Sequence, residues 1–165
     1  MKRFAALFLM VALAFVVPGQ AFATTLTHNA GQVEITVPDT WKSAQEGDSM
    51  TITAPDEAMA VVFNVLEADV ADKALDAMDK ELEKAIGEIT WDNDGKATEE
   101  EINGMKTWEY NGKAKGGAML VDCLVIDTPS EKSLAIYWFS TVEAEKKYEA
   151  DIATIVKGLK PLAKK

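Results

Sequence analysis

The chain has 165 residues, 48% of them hydrophobic, with 17 basic against 27 acidic side chains, a formal net charge of −10, one cysteine and one histidine. An acidic surface repels nucleic acid and anionic membranes, and a lone cysteine excludes an internal disulfide. The only arginine is Arg3, so most of the chain lacks the planar fork that grips phosphates and carboxylates with two parallel bonds, which weakens any nucleotide or phosphoryl role.

The chain opens with Lys2 and Arg3, runs apolar from Phe4 to Val17, breaks at Pro18-Gly19 and places Ala21 and Ala23 at small-residue positions. That is the pattern of a secretory signal peptide over residues 1–23, with cleavage expected after Ala23. The apolar run of 14 residues falls short of the roughly 18 needed to span a membrane. No cysteine follows it for lipid attachment, so a periplasmic or secreted protein that is not a lipoprotein and not membrane-inserted is expected. Cleavage would remove two basic residues and no acidic one, taking the net charge from −10 to −12. Residues 24–165 contain no linker, low-complexity tract or repeat and read as one domain.

The first element is VEITV at 33–37, alternating apolar and polar with the period of a half-buried strand. Pro38 ends it for want of an N–H, and Asp39-Thr40 turn the chain so that Trp41 returns to the apolar face. A second strand at 50–54 stops at Pro55, and a third, at 59–66, is apolar on both faces, as an interior strand is. Residues 71–86 place Leu75, Met78, Leu82, Ala85 and Ile86 at helical spacing, with Gly87 as the stop. Strand-like runs follow at 97–102, 106–110, 118–126 and 133–141. Asn103-Gly104 and Asn111-Gly112 read as hairpin turns, and Thr128-Pro129-Ser130 as a third break. Ser140-Thr-Val-Glu143 has capping-box form and opens a helix carrying Tyr148, Ile152, Ile155, Val156 and Leu159 on one stripe, ended by Gly158 and Pro161.

Three strands, a helix, four strands and a helix predict an α+β fold: an antiparallel sheet of about six to seven strands with two amphipathic helices packed on it. This order, the early strand ending in Val37-Pro38-Asp39-Thr40-Trp41 and the terminal amphipathic helix together resemble the PsbP-like fold. That fold is shared by a lumenal extrinsic subunit of photosystem II, a Ran-binding nuclear import factor and many small exported bacterial proteins. The resemblance implies a fold; it brings no common catalytic set that maps onto these residues.

Candidate sites are few. With Gly95 as the sixth position of a calcium loop, Asp92, Asp94 and Glu101 take positions three, five and twelve, but Thr90 stands where the first carboxylate belongs and a strand follows where an EF-hand has a helix. A solvated turn leading to an acidic edge strand is the competing reading, and no metal is assigned. His28 would lie at a frayed mature N-terminus, and Cys123 in the apolar run 118–126 reads as a buried small hydrophobe. Asp122 beside it is expected on an exposed strand face or paired with a lysine. No serine-hydrolase elbow, zinc motif, Cys-x-x-Cys or phosphate loop is present, so no cofactor and no enzymatic role is expected. The aromatics Trp41, Trp108, Tyr137 and Trp138 are the candidate binding residues, because a half-exposed ring rimmed by carboxylates suits docking. The first functional reading is thus a non-enzymatic exported binding or accessory domain for an unidentified protein partner, with no requirement for more than a monomer. The alternative is a carrier with a small apolar ligand between sheet and helices. A third reading is an enzyme built on Asp122 and Cys123.

Overall fold

The computed structural model describes residues 23–66, 71–129 and 132–162, so the signal-peptide reading of 1–23 lies, apart from Ala23, outside the described residues. The chain begins with β1 (Ala23–His28), β2 (Val33–Pro38), β3 (Lys42–Glu46), β4 (Ser49–Thr53) and β5 (Ala60–Leu66). After α1 (Ala71–Ile86) come β6 (Ile89–Trp91), β7 (Thr98–Ile102), β8 (Met105–Ala114), β9 (Met119–Asp127) and β10 (Ser133–Ser140). It closes with α2 (Val142–Lys157) and β11 (Lys160–Pro161).

All strand pairing is antiparallel. A sheet of eight strands runs β3-β4-β5-β10-β9-β8-β6, with β7 also on β8, and a sheet of three runs β1-β2-β11. The fold is therefore α+β as expected, with more strands. β3, KSAQE, is exposed at every residue and so carries no alternation to read; β6 and β11 are only three and two residues long. β1 arises where a frayed end was expected, because it pairs along the whole of β2.

Alternate residues of the large sheet build two separate cores, as the period of a strand demands. Leu124, Ile126, Leu134, Ile136 and Trp138 face Val33, Ile35 and Val37 of β2 and Tyr148, Ile152 and Ile155 of α2. Val121, Cys123, Val125 and Ala135 face the other way, onto Met78, Leu82 and Ile86 of α1. α1 thus covers the β9–β10 side of the sheet, and β5 is interior between β4 and β10. Among the described residues no helix is long and apolar enough to cross a membrane.

Two turn readings need correction. Asn103-Gly104, with φ of 49° and 83°, does close the β7–β8 hairpin, Ile102 facing Met105. Asn111-Gly112 does not turn; it lies inside the ten-residue β8. Gly112 pairs with Trp91, and a Cβ there would stand 2.9 Å from Cε3 of that indole and 3.0 Å from the Thr90 carbonyl oxygen. The glycine admits a close strand and not a bend. The cap of α2 is also one residue later than the capping-box reading: Thr141 is the N-cap, its Oγ1 accepting from the Ala144 N–H at 3.2 Å. The Ser140 hydroxyl instead donates to Glu145 at 2.7 Å.

Candidate docking surface

The four candidate aromatics do not form one site. Trp41 turns inward as the sequence suggested: its N–H donates to the Pro38 carbonyl at 2.9 Å, and its ring is buried edge-on to Tyr148 with centroids 5.3 Å apart. Its Nε1 donates to Asp151 at 2.9 Å. Nearby, the Tyr148 hydroxyl donates to Asp56 at 2.7 Å, and Lys147 bonds the other oxygen of that carboxylate. The lysine and tyrosine bonds hold the Asp56 carboxyl well below the usual range. Together these contacts pin the loops after β2 and β4 to α2. Trp138 is 7% exposed in the same core, and its Nε1 has no hydrogen-bond partner among the described residues. Both rings serve folding.

Trp108 and Tyr137 lie on the opposite face, half-buried at the margin of the core under α1. Trp108 sits on β8 directly across from Glu99 of β7. Lys106 spans the two: its Nζ is 4.5 Å from the Trp108 ring centroid and 3.4 Å from the Glu99 carboxylate. Glu101 faces Lys106 from the same strand, so an aromatic face is bordered by the acidic β7. Tyr137 accepts from the Asn64 side chain at 3.1 Å. Phe139, Met119 and Trp91 complete the half-buried margin. Trp91 is tied down by a 2.8 Å bond from its Nε1 to Asp79 of α1, whereas the half-buried Trp108 carries Lys106 over its ring.

His28, the sole histidine, contradicts its expected fraying. It is fully buried, its Nδ1 accepting from the Gly31 N–H at 2.9 Å and its Nε2 3.1 Å from the Asp48 carbonyl oxygen. The first bond requires a bare Nδ1, so the proton sits on Nε2 and is donated to Asp48. Burial lowers the His28 pKa despite that carbonyl. Cys123 is fully buried, as read, with Sγ 3.2 Å from the Met78 sulfur; burial first, and then Asp122, raises its thiol pKa well above normal. Such a thiol is a poor nucleophile.

Asp122 departs from its expected setting. It is half-buried on the α2 face, between Trp138 of β10 and Asn111 of β8. No lysine pairs with it among the described residues. Burial, and then the charges of Glu145, Glu109 and Asp92, push its pKa up to about 7. Sequence reasoning missed these neighbours because the false turn at Asn111-Gly112 cut β8 just where Glu109 and Asn111 reach Asp122. Asp92 and Asp94 stand exposed on a short 3-10 turn, Asn93 and Asp94 having φ of 55°, and Glu101 is exposed on β7. Among the described residues no three His, Cys, Asp or Glu side chains are placed to hold a metal ion. An open surface cleft of about 620 Å³ lies between Ile86, Thr90, Asp92, Lys113 and Lys115.

No protein-family profile and no curated protein matches the sequence. The fold is similar to solved structures over most of the chain. LpqN, involved in cell envelope biogenesis of Mycobacterium tuberculosis, aligns at 18% identity with a TM-score of 0.56, covering 84% of this chain and 90% of that one. The cyanobacterial PsbP (CyanoP) of Synechocystis aligns at 14% identity with a TM-score of 0.57, covering 87% and 94%. Mog1, in a mutant form, aligns at 9% identity with a TM-score of 0.52, covering 86% and 96%. At such identities a likeness speaks to the fold and not to the activity.

Proposed function

We propose, for a chain that has the PsbP-like fold, a non-enzymatic binding or accessory role outside the cytoplasm, with another protein as the partner. Export rests on the leader-like residues 1–23, and one domain is taken to comprise residues 24–165. The observation that carries the reading is Trp108, partly exposed on β8 at the margin of the core and bordered by Glu99, Glu101 and Lys106. A rigid indole with a charged rim is the composition of an interface anchor, and the acidic rim selects a partner surface rich in lysine or arginine. The setting of Cys123 supports a non-catalytic role, since burial raises its thiol pKa.

Capture from an envelope extract tests it, with wild type, Trp108→Ala and Glu99→Lys as baits. A saturable partner should be retained by wild type and lost at least tenfold on Trp108→Ala, as truncating an anchor commonly costs over 1 kcal/mol. Glu99→Lys, on an exposed side chain, should weaken capture without unfolding the bait. A partner held equally by all three baits would move the interface elsewhere.

A further inference from the structure

The eight-stranded sheet ends at β3, which among the described residues pairs only with β4. Every residue of β3 is exposed, so its outer backbone groups form an open edge. The β3–β4 turn is the two-residue loop Gly47-Asp48, closed by Glu46 facing Ser49, with Gly47 at φ 59°. In a two-residue hairpin the closing pair is hydrogen-bonded and the pairs alternate from there. Lys42, Ala44 and Glu46 therefore spend their backbone groups on β4. Ser43 and Gln45 direct theirs outward.

We infer that β3 is a self-association edge through which two copies of this protein pair antiparallel about Ala44. In that register Ser43 meets Gln45 of the second copy, and each such pair exchanges two backbone bonds with the groups that point outward. Lys42 meets Glu46 of the second copy on one face, twice by symmetry, so the strand Lys-Ser-Ala-Gln-Glu is complementary to its own reverse. This is an isologous contact, and opposite charges directly across strands are favourable. Lys42 is free to take part: its one ion pair, to Glu57, is 3.8 Å long between side chains 71% and 74% exposed. Glu46 has no ion-pair partner among the described residues. Ala44, Gln45, Glu46, Ser49 and Thr51 line an open cleft of about 510 Å³ beside the edge, and the residue at the centre of the register, Ala44, is small. The other acidic edge shows the contrast. Self-pairing of β7, Thr-Glu-Glu-Glu-Ile, about Glu100 would set glutamate against glutamate at every central pair, which is destabilising.

Two five-residue strands bury far less than the roughly 1,200 Å² of a stable interface, so the dimer is weak, with a Kd of about 0.1–1 mM. Sedimentation velocity of the exported protein, over concentrations spanning that range at constant salt, should show the weight-average mass climbing towards twice the monomer. Lys42→Glu and Glu46→Lys alone should each raise Kd at least tenfold, while the Lys42→Glu/Glu46→Lys double exchange restores it. An equimolar mixture of the two single variants should dimerise about as tightly as wild type, and more tightly than either variant alone. All three variants lie on exposed side chains, and unchanged circular dichroism spectra verify the fold. A wild type that stays monomeric throughout, self-association indifferent to Lys42→Glu, or a mixture that fails to restore pairing would each overturn the inference.

Discussion

Replacing Asp122 by asparagine should stabilise the protein, and increasingly so as the pH rises. The folded-state pKa of Asp122 is about 7 against an ordinary 3.8, so the contribution of the protonated carboxyl is complete below the ordinary value and is lost as the pH climbs through 7. Between about pH 5 and pH 8.5 some two pKa units are traversed, worth about 2.7 kcal/mol if unscreened at 1.36 kcal/mol per unit. Asp122 is only half-buried, and solvent screening reduces this to about 1–1.5 kcal/mol. Asparagine keeps the shape and never ionises. The advantage of Asp122→Asn over wild type should therefore grow by about 1–1.5 kcal/mol across that range, or a few degrees in Tm for a chain of this size. Urea unfolding followed by tryptophan fluorescence at both pH values measures it, and other titrating groups cancel in the comparison. An advantage that is constant with pH, or larger at the acid end, would refute the account of a carboxyl strained by burial and by Glu145, Glu109 and Asp92.

In the Asp122→Asn background, stability should fall as the pH drops below the ordinary histidine value of 6.5, because the unfolded chain takes up a proton that folded His28 cannot accept while Nδ1 is bonded to Gly31. Replacing His28 by alanine should flatten that slope and cost about 1–3 kcal/mol for the stranded Gly31 N–H and Asp48 carbonyl, read by the same unfolding curves. Gly112→Ala should cost about 1–3 kcal/mol through overpacking against Trp91, and a change within about 0.5 kcal/mol would contradict the close strand approach. Calcium chloride should raise Tm no more than sodium chloride at equal ionic strength, with Asp94→Asn as control; a saturable rise specific to calcium and absent from the variant would reinstate the acidic turn as a cation site.

The PsbP-like element order, both helices and the inward return of Trp41 were legible in the sequence because each rests on a strong apolar period or a proline stop. The strands that escaped reading are those whose sequence carries no pattern: β3 is wholly exposed, and β11 is held in place by Val33 and Glu34 from the far end of the chain. Asn-Gly at 111–112 misled because the same dipeptide serves a tight turn and a tight crossing, and only the indole of Trp91 distinguishes them. The environment of Asp122 was invisible for a related reason. Its acidic neighbours come from β8, α2 and the turn after β6, which meet only in three dimensions. Trp108 and Tyr137 could be named from the sequence but not separated from Trp41 and Trp138, since all four sit in or beside apolar runs.

The small sheet joins the first described strand to the last one. β1 lies along one edge of β2 and β11 along the other, with a further 2.8 Å bond from the Leu162 N–H to the Gln32 carbonyl. Closing that sheet brings Val33 and Glu34 together with Pro161 and Lys160, and contacts so distant along the chain form slowly. The same closure makes β11 a point of failure: a cut before Lys160 would bare an edge of β2.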